Sequence, residues 1–192
     1  MLCMNVSAQD TFCLRNNIKL TKSWDRIYST LHLEHRTQDC WFVRTYAGYK
    51  FAPWLKGDVA YEFRQKYSSE LRQRGIVSFT GTLKSGNFSA SLRERYVMEF
   101  SKKGGESTFG FSKNVLRSRL KVKYAIPGSI FAPYLSSEIF VWKEWEKSRY
   151  YAGTELKLGA RGKLDIFYLY TVYAAHPGTP RHSIGINYEL SL

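Results

Sequence analysis

A period-two alternation of polar and apolar residues restarts again and again from about residue 24 to the last residue, and it constrains the fold more than any other feature of the chain. From Arg181 to Leu192, one side carries Arg181, Ser183, Gly185, Asn187, Glu189 and Ser191, and the other His182, Ile184, Ile186, Tyr188, Leu190 and Leu192. Successive strand side chains point to opposite faces, so the segment has one wet face and one apolar face. About ten such segments follow one another with no helical stretch between them, which leaves few architectures open.

A soluble β-sandwich alternates too, so segment length and the chemistry of the faces must arbitrate. The segments run about 10 to 13 residues, long against the usual ~5–6 of a soluble strand and suited to a tilted membrane-spanning strand of ~9–11. Between Lys113 and Ile126, Arg117, Arg119, Lys121 and Lys123 share one face while Leu116, Leu120, Val122 and Tyr124 share the other. Between Phe88 and Phe100, Arg93, Arg95 and Glu99 oppose Leu92, Tyr96, Met98 and Phe100. Aromatic placement points the same way. Trp24 and Trp54 stand beside one set of turns, and Trp41, Trp142 and Trp145 beside the other set of connections, as in the two aromatic girdles of a bilayer-spanning barrel. Ordinary core or hairpin tryptophans are the competing explanation.

Connections alternate in length as well. Short turns containing Pro or Gly fall at 51–54, 84–87, 127–129 and 160–162, and longer polar links at 67–72, 101–112, 144–148 and 175–180. Short periplasmic turns and longer external loops are the outer-membrane pattern. The first residues, MLCMNVSA, end on Val6-Ser7-Ala8, which fits a small-residue cleavage site, so residues 1–8 read as the tail of a secretory signal and 9–192 as a single barrel domain. No apolar run approaches the ~18 residues of a helical span. The mean hydropathy of -0.37 fits a barrel, because half of its strand residues face inward.

Charge gives the interior its character. The chain has 29 Lys+Arg against 16 Asp+Glu, a net +13, distributed along the polar strand faces instead of in one tract. A basic lumen wall is expected from Arg93, Arg95, Arg117, Arg119, Lys121 and Lys123, with Glu62, Glu138 and Glu155 as lumen acids. Arg36, Arg44, Arg64, Arg74 and Arg149 also fall on the inward side, as do Glu34 and Glu99. An open interior of this kind attracts anions, whereas a narrow one fills with ion pairs. Glu138 and Glu155 are expected on the wall opposite the basic row.

The stretches Phe131-Ala132-Pro133-Tyr134-Leu135-Ser136-Ser137-Glu138-Ile139-Phe140, Leu92-Arg93-Glu94-Arg95-Tyr96, Tyr46-Ala47-Gly48-Tyr49-Lys50 and Gly185-Ile186-Asn187-Tyr188-Glu189-Leu190 resemble an uncharacterised family of small outer-membrane barrels common in Bacteroidota. The resemblance spans nearly the whole chain from about residue 12. It implies the fold and an outer-membrane location, and brings no assigned activity or catalytic residues. The C-terminal Leu192 departs from the aromatic that usually ends a barrel-assembly signal, while Tyr188 and Leu190 keep the rest of the pattern.

The expected fold is therefore an all-β, antiparallel up-and-down transmembrane barrel of about ten strands, with twelve as the alternative. The spans are 24–37, 40–51, 54–67, 73–83, 87–100, 113–126, 130–143, 148–158, 163–174 and 181–192. Residues 12–20 alternate too, and either lie outside the wall or have a twelfth strand hidden in a loop such as 101–112 to restore even parity. Glu94 and Lys143 fall on the lipid face and Phe167 and Leu169 on the lumen face, so a bulge or register change is expected near Glu94.

No catalytic residues, metal ligands or cofactor are expected. His182 and Ser183 point to opposite faces, and closure between spans 24–37 and 181–192 would bring His35 near His182, with His176 in the nearby loop. Cys13 and Cys40 could pair in an oxidising compartment or stay free. The sequence reads as a monomeric outer-membrane barrel, a small anion-preferring pore or a structural barrel. Its partners are lipid and, through the C-terminal strand, the barrel-assembly machinery, with no nucleic acid. The alternatives are a lipid-modifying outer-membrane enzyme and a soluble basic β-protein that binds nucleic acid.

Overall fold

The computed structural model describes residues 12–37, 39–102, 106–175 and 178–192. The expected signal tail at 1–8 and His176 lie outside these residues.

Eleven strands follow in chain order: β1 Phe12–Trp24, β2 Ile27–Arg36, β3 Cys40–Ala52, β4 Leu55–Lys66, β5 Leu71–Ser85, β6 Phe88–Lys102, β7 Gly110–Tyr124, β8 Phe131–Trp142, β9 Glu144–Leu158, β10 Gly162–Tyr173 and β11 Arg181–Ser191. Each pairs antiparallel with the next, and β1 closes the ring against β11 in parallel, from Phe12 opposite His182 to Thr21 opposite Ser191. The alternation dictates this closure. Chain edges left open would present unpaired amides and carbonyls that an apolar solvent cannot satisfy, so a sheet with one apolar face on its outside is stable there only as a ring.

The strand count corrects the sequence expectation of ten or twelve. Residues 12–20 lie neither outside the wall nor beside a hidden partner: they belong to β1, which inserts between β2 and β11 and satisfies both edges. Between β6 and β7 no further strand occurs among the described residues. An odd number of strands leaves β1 and β11 running the same way, so the parity cost is met by one parallel seam.

Two connections also differ from expectation. Residues 144–148 are no loop, because β8 and β9 are joined by Lys143 alone, held at a φ of 59°. The 125–130 turn is longer than that connection, so length asymmetry between the two barrel ends resides mainly in 103–109 and 174–180. At the opposite end, Gly86, Gly128 and Gly159 supply the positive φ that tight reversal needs.

Outward positions are apolar and exposed, with Leu31, Leu92, Leu120, Leu135, Ile166 and Ile186 spread around the wall. Trp24 and Trp54 are exposed at the turn end, and Trp41, Trp142 and Trp145 at the loop end. Glu94 faces outward without a register change. Its Oε2 accepts a 2.6 Å hydrogen bond from Ser118 on the neighbouring strand, and the irregularity lies farther along, between Glu99 and Phe100. Lys143 sits at the rim over Trp142. Phe167 and Leu169 do face inward, packing with Tyr134 and Tyr151. The Phe167 ring lies over Gly185, where a Cβ would come within 2.1 Å of its Cζ. Glycine therefore makes the room that lets an aromatic ring fill the lumen at that level.

Candidate functional site

The lumen is the site, and its chemistry begins with buried glutamates. Inward positions recur every second residue, so a Glu on one strand meets Arg on its neighbours at fixed register: Glu62 lies opposite both Arg44 and Arg74, Arg74 opposite Glu99, and Glu138 opposite both Arg119 and Arg149. Four of these carboxylates, Glu34, Glu62, Glu99 and Glu138, are almost fully buried. A buried carboxylate is tolerated only when it is paired and hydrogen-bonded, and all four meet that condition. Glu34 takes Arg15 Nη2 at 2.5 Å and the Nε of Arg36. Glu62 takes Arg44, Arg64 Nη2 at 2.8 Å and Arg74 Nη1 at 3.2 Å. Glu99 takes Arg72 Nη1 at 2.8 Å and Arg74. On this side Phe42 is ringed by the guanidiniums of Arg36, Arg44 and Arg64, between 4.8 and 5.4 Å from its centroid.

Across the ring the balance differs. Glu138, 1% exposed, accepts from Arg117 Nη2 at 2.9 Å, Arg93 Nη2 at 3.2 Å and the Tyr151 hydroxyl at 3.2 Å, with Arg149 Nη1 3.9 Å away. Arg95 and Arg119 have no carboxylate within ion-pair distance among the described residues; their Nε atoms donate to Ser78 at 3.0 Å and Ser136 at 2.8 Å. Three guanidiniums thus gather on one carboxylate, and two beside them have none. Phe140 backs two of them, Arg117 at 4.5 Å and Arg149 at 4.8 Å from its centroid, while Tyr151 backs Arg119 at 4.4 Å. All five arginines line an internal cavity of about 420 Å³.

Of the sequence-predicted basic wall, Arg93, Arg95, Arg117 and Arg119 meet in this cluster. Lys121 and Lys123 face the lumen nearer the turn end, and both are taken by Glu155, at 2.5 and 2.8 Å. Glu138 and Glu155 are not on the opposite wall as expected. They stand on β8 and β9, beside the basic row, because β7, β8 and β9 are successive neighbours in the ring. Glu62 stands on β4, two strands along the ring from β6. The sequence reading placed Arg149 on the inward side by its phase, and left Arg15 out of the lumen set because the alternation of 12–20 was not assigned to the wall.

Near the loop end, Asp39 is held below the ordinary carboxylate range: burial works against its charge, but Arg36, Arg64 and Arg181 outweigh it. Glu70 is likewise lowered, with hydrogen bonds from Arg72 and Lys66 overcoming its partial burial. Cys13 and Cys40 are both buried free thiols. The histidines are kept apart by β1: His35 Nε2 meets the Tyr67 hydroxyl at 2.5 Å, and His182 Nδ1 meets Tyr168. Ser183 is buried on the face opposite His182.

A closed up-and-down ring with an apolar outside and a charged inside defines the class, an antiparallel β-barrel with a polar lumen. The chain belongs to the family described as "Protein of unknown function (DUF2490)", whose model matches residues 12–181. It is similar in fold to a solved NanC porin, at 14% identity and a TM-score of 0.64, over 94% of this chain and 97% of that one. The β domain of the Bordetella autotransporter BrkA matches at 12% identity and a TM-score of 0.48, over 84% of this chain and 78% of that domain. No curated protein matches the chain.

Proposed function

We propose that this barrel is a monomeric outer-membrane pore that prefers anions. The observation that carries the reading is the arginine excess on the β6–β9 wall, where Arg93, Arg117 and Arg149 gather on the single carboxylate of Glu138, Arg95 and Arg119 have none among the described residues, and all five line the internal cavity. Fixed positive charge on a low-dielectric wall concentrates anions and repels cations. The apolar exposed face, strands of 10 to 15 residues and tryptophans at both ends support a bilayer setting. By the same pattern the 103–109 and 174–180 connections face outward and the short turns face the periplasm. Refolded protein in a planar bilayer under a potassium chloride gradient tests the reading: ion conductance with a reversal potential on the chloride side is expected, and the absence of any conductance contradicts it.

A structural barrel is the second reading. It is favoured by the ion pairs around Glu34, Glu62 and Glu99, which fill the lumen on the Phe42 side.

A further inference from the structure

We propose that the arginine cluster on the β6–β9 wall is a binding subsite for a compact divalent oxyanion of the phosphate type. The inference deepens the pore reading, on which it rests only for the anion's route to the site.

The argument starts from register. Arg93 lies directly opposite Arg119, and Arg95 directly opposite Arg117, on adjacent antiparallel strands. Like charges placed opposite each other destabilise a sheet, so two such pairs in succession work against folding. Facing arginines occur on the other side too, Arg15 opposite Arg36 and Arg64 opposite Arg72, but there every one of them holds a carboxylate, Glu34 for the first pair and Glu62 and Glu99 for the second. Here Glu138 is the one carboxylate within ion-pair distance, and Arg95 and Arg119 settle for serine hydroxyls.

Donor accounting agrees with the charge count. The Nε–H groups of Arg93, Arg117 and Arg149 are buried and have no acceptor. Buried donors without partners are uncommon in folded proteins, and three on residues surrounding one carboxylate mark a place short of acceptor oxygens. An anion in the cavity would draw these forks toward it and supply those oxygens.

Three features select the anion. Guanidinium forks bind oxyanions bidentately and with geometric preference, which a spherical halide cannot exploit. The uncompensated charge of several units favours a dianion over a monoanion. The aromatic backing of Arg117 and Arg149 by Phe140, and of Arg119 by Tyr151, restrains the guanidinium planes before any ligand arrives. That lowers the ordering cost of binding. Phosphate at neutral pH meets all three conditions, as do the terminal phosphates of small metabolites.

Calorimetry on the full chain refolded in detergent micelles tests the proposal, with inorganic phosphate titrated at constant ionic strength and chloride as the reference anion. Saturable phosphate binding is expected, displaceable by sulfate and not by chloride. Arg95→Gln with Arg119→Gln should weaken it at least tenfold. Neither residue holds a carboxylate, so the buried ion pairs survive, and circular dichroism should show the parent β signature. Lys56→Gln removes a lumen charge outside the cluster and should change the affinity less than twofold. Equal heats for phosphate and chloride would overturn the proposal, as would a Lys56→Gln loss matching that of the double variant, since the attraction would then be diffuse. Micelle binding needs no conduction: phosphate binding without conductance sinks the pore reading alone, and chloride-selective conductance without phosphate binding sinks this subsite alone.

Discussion

Arg119 and Leu120 are neighbours in the chain and belong to different solvents. Arg119 reaches into the lumen to Ser136 and Tyr151, while the Leu120 side chain is half exposed on the outer wall. That difference yields a sharp prediction about single substitutions. Leu120→Arg places a guanidinium against hydrocarbon, at a cost of about 2–4 kcal/mol if it lies at mid-bilayer depth, and should lower the yield of folding into vesicles by more than tenfold. Arg119→Leu removes a charge that holds no carboxylate and should fold within twofold of the parent. Folding followed by heat-modifiable gel mobility checks both, and equal yields would show that the outer face does not meet lipid. At this scale the sequence was informative where alternation was regular. It pointed Arg93, Arg95, Arg117 and Arg119 inward on phase alone. It was silent on partners, because which Glu meets which Arg depends on cross-strand register and not on spacing within a strand. For that reason Glu138 was expected across the lumen and in fact stands next to the arginines it serves.

Strands were legible to within a few residues, with one instructive exception. Span 24–37 merged the end of β1 with β2, because the reversal at Asp25 and Arg26 contains neither Gly nor Pro; Asp25 takes the positive φ of 50° itself. The same blind spot hid Lys143, a non-glycine residue with positive φ that makes a one-residue connection where a loop was expected. Asp and Asn adopt that conformation more readily than most side chains do, and lysine gives no such signal. β1 was recognised as strand-like and then set aside on parity, a rule that the parallel seam circumvents. The seam is testable at the level of the element. Asn16 and Ile186 are register partners on β1 and β11, both outward-facing, and neighbouring strands lie ~4.8 Å apart, within reach of a disulfide. With Cys13 and Cys40 first replaced by Ser, Asn16→Cys with Ile186→Cys should form an intramolecular disulfide in the folded state and not in denaturant. Failure to cross-link in folded protein would place β1 outside the wall.

The whole molecule carries a net charge of +13, and two arginines that hold no carboxylate among the described residues, Arg95 and Arg119, stand on one side of the lumen. Around Phe42 every arginine holds Glu34 or Glu62; on the wall of Phe140 only Arg93, Arg117 and Arg149 reach Glu138. β3 and β8, which bear those two rings, stand on opposite sides of the ring of strands, so the difference in pairing lies across the pore. Orientation in the membrane is a separate prediction. Ser107→Cys, in the connection between β6 and β7, should label with an impermeant maleimide in intact cells, and Asn87→Cys, in the turn between β5 and β6, should not, again after Cys13 and Cys40 are replaced. Labelling at Asn87→Cys and none at Ser107→Cys would invert the topology while leaving the barrel intact.

Anion preference arising from the β6–β9 wall is the central claim, and the reversal potential of the parent barrel compared with Arg93→Glu, Arg119→Glu tests it most directly. In a potassium chloride gradient the parent should favour chloride, and the double reversal, which replaces two cations facing each other across β6 and β7 by two anions, should reduce that preference or turn it to potassium. An unchanged reversal potential in a variant that conducts would show that these arginines do not set the selectivity.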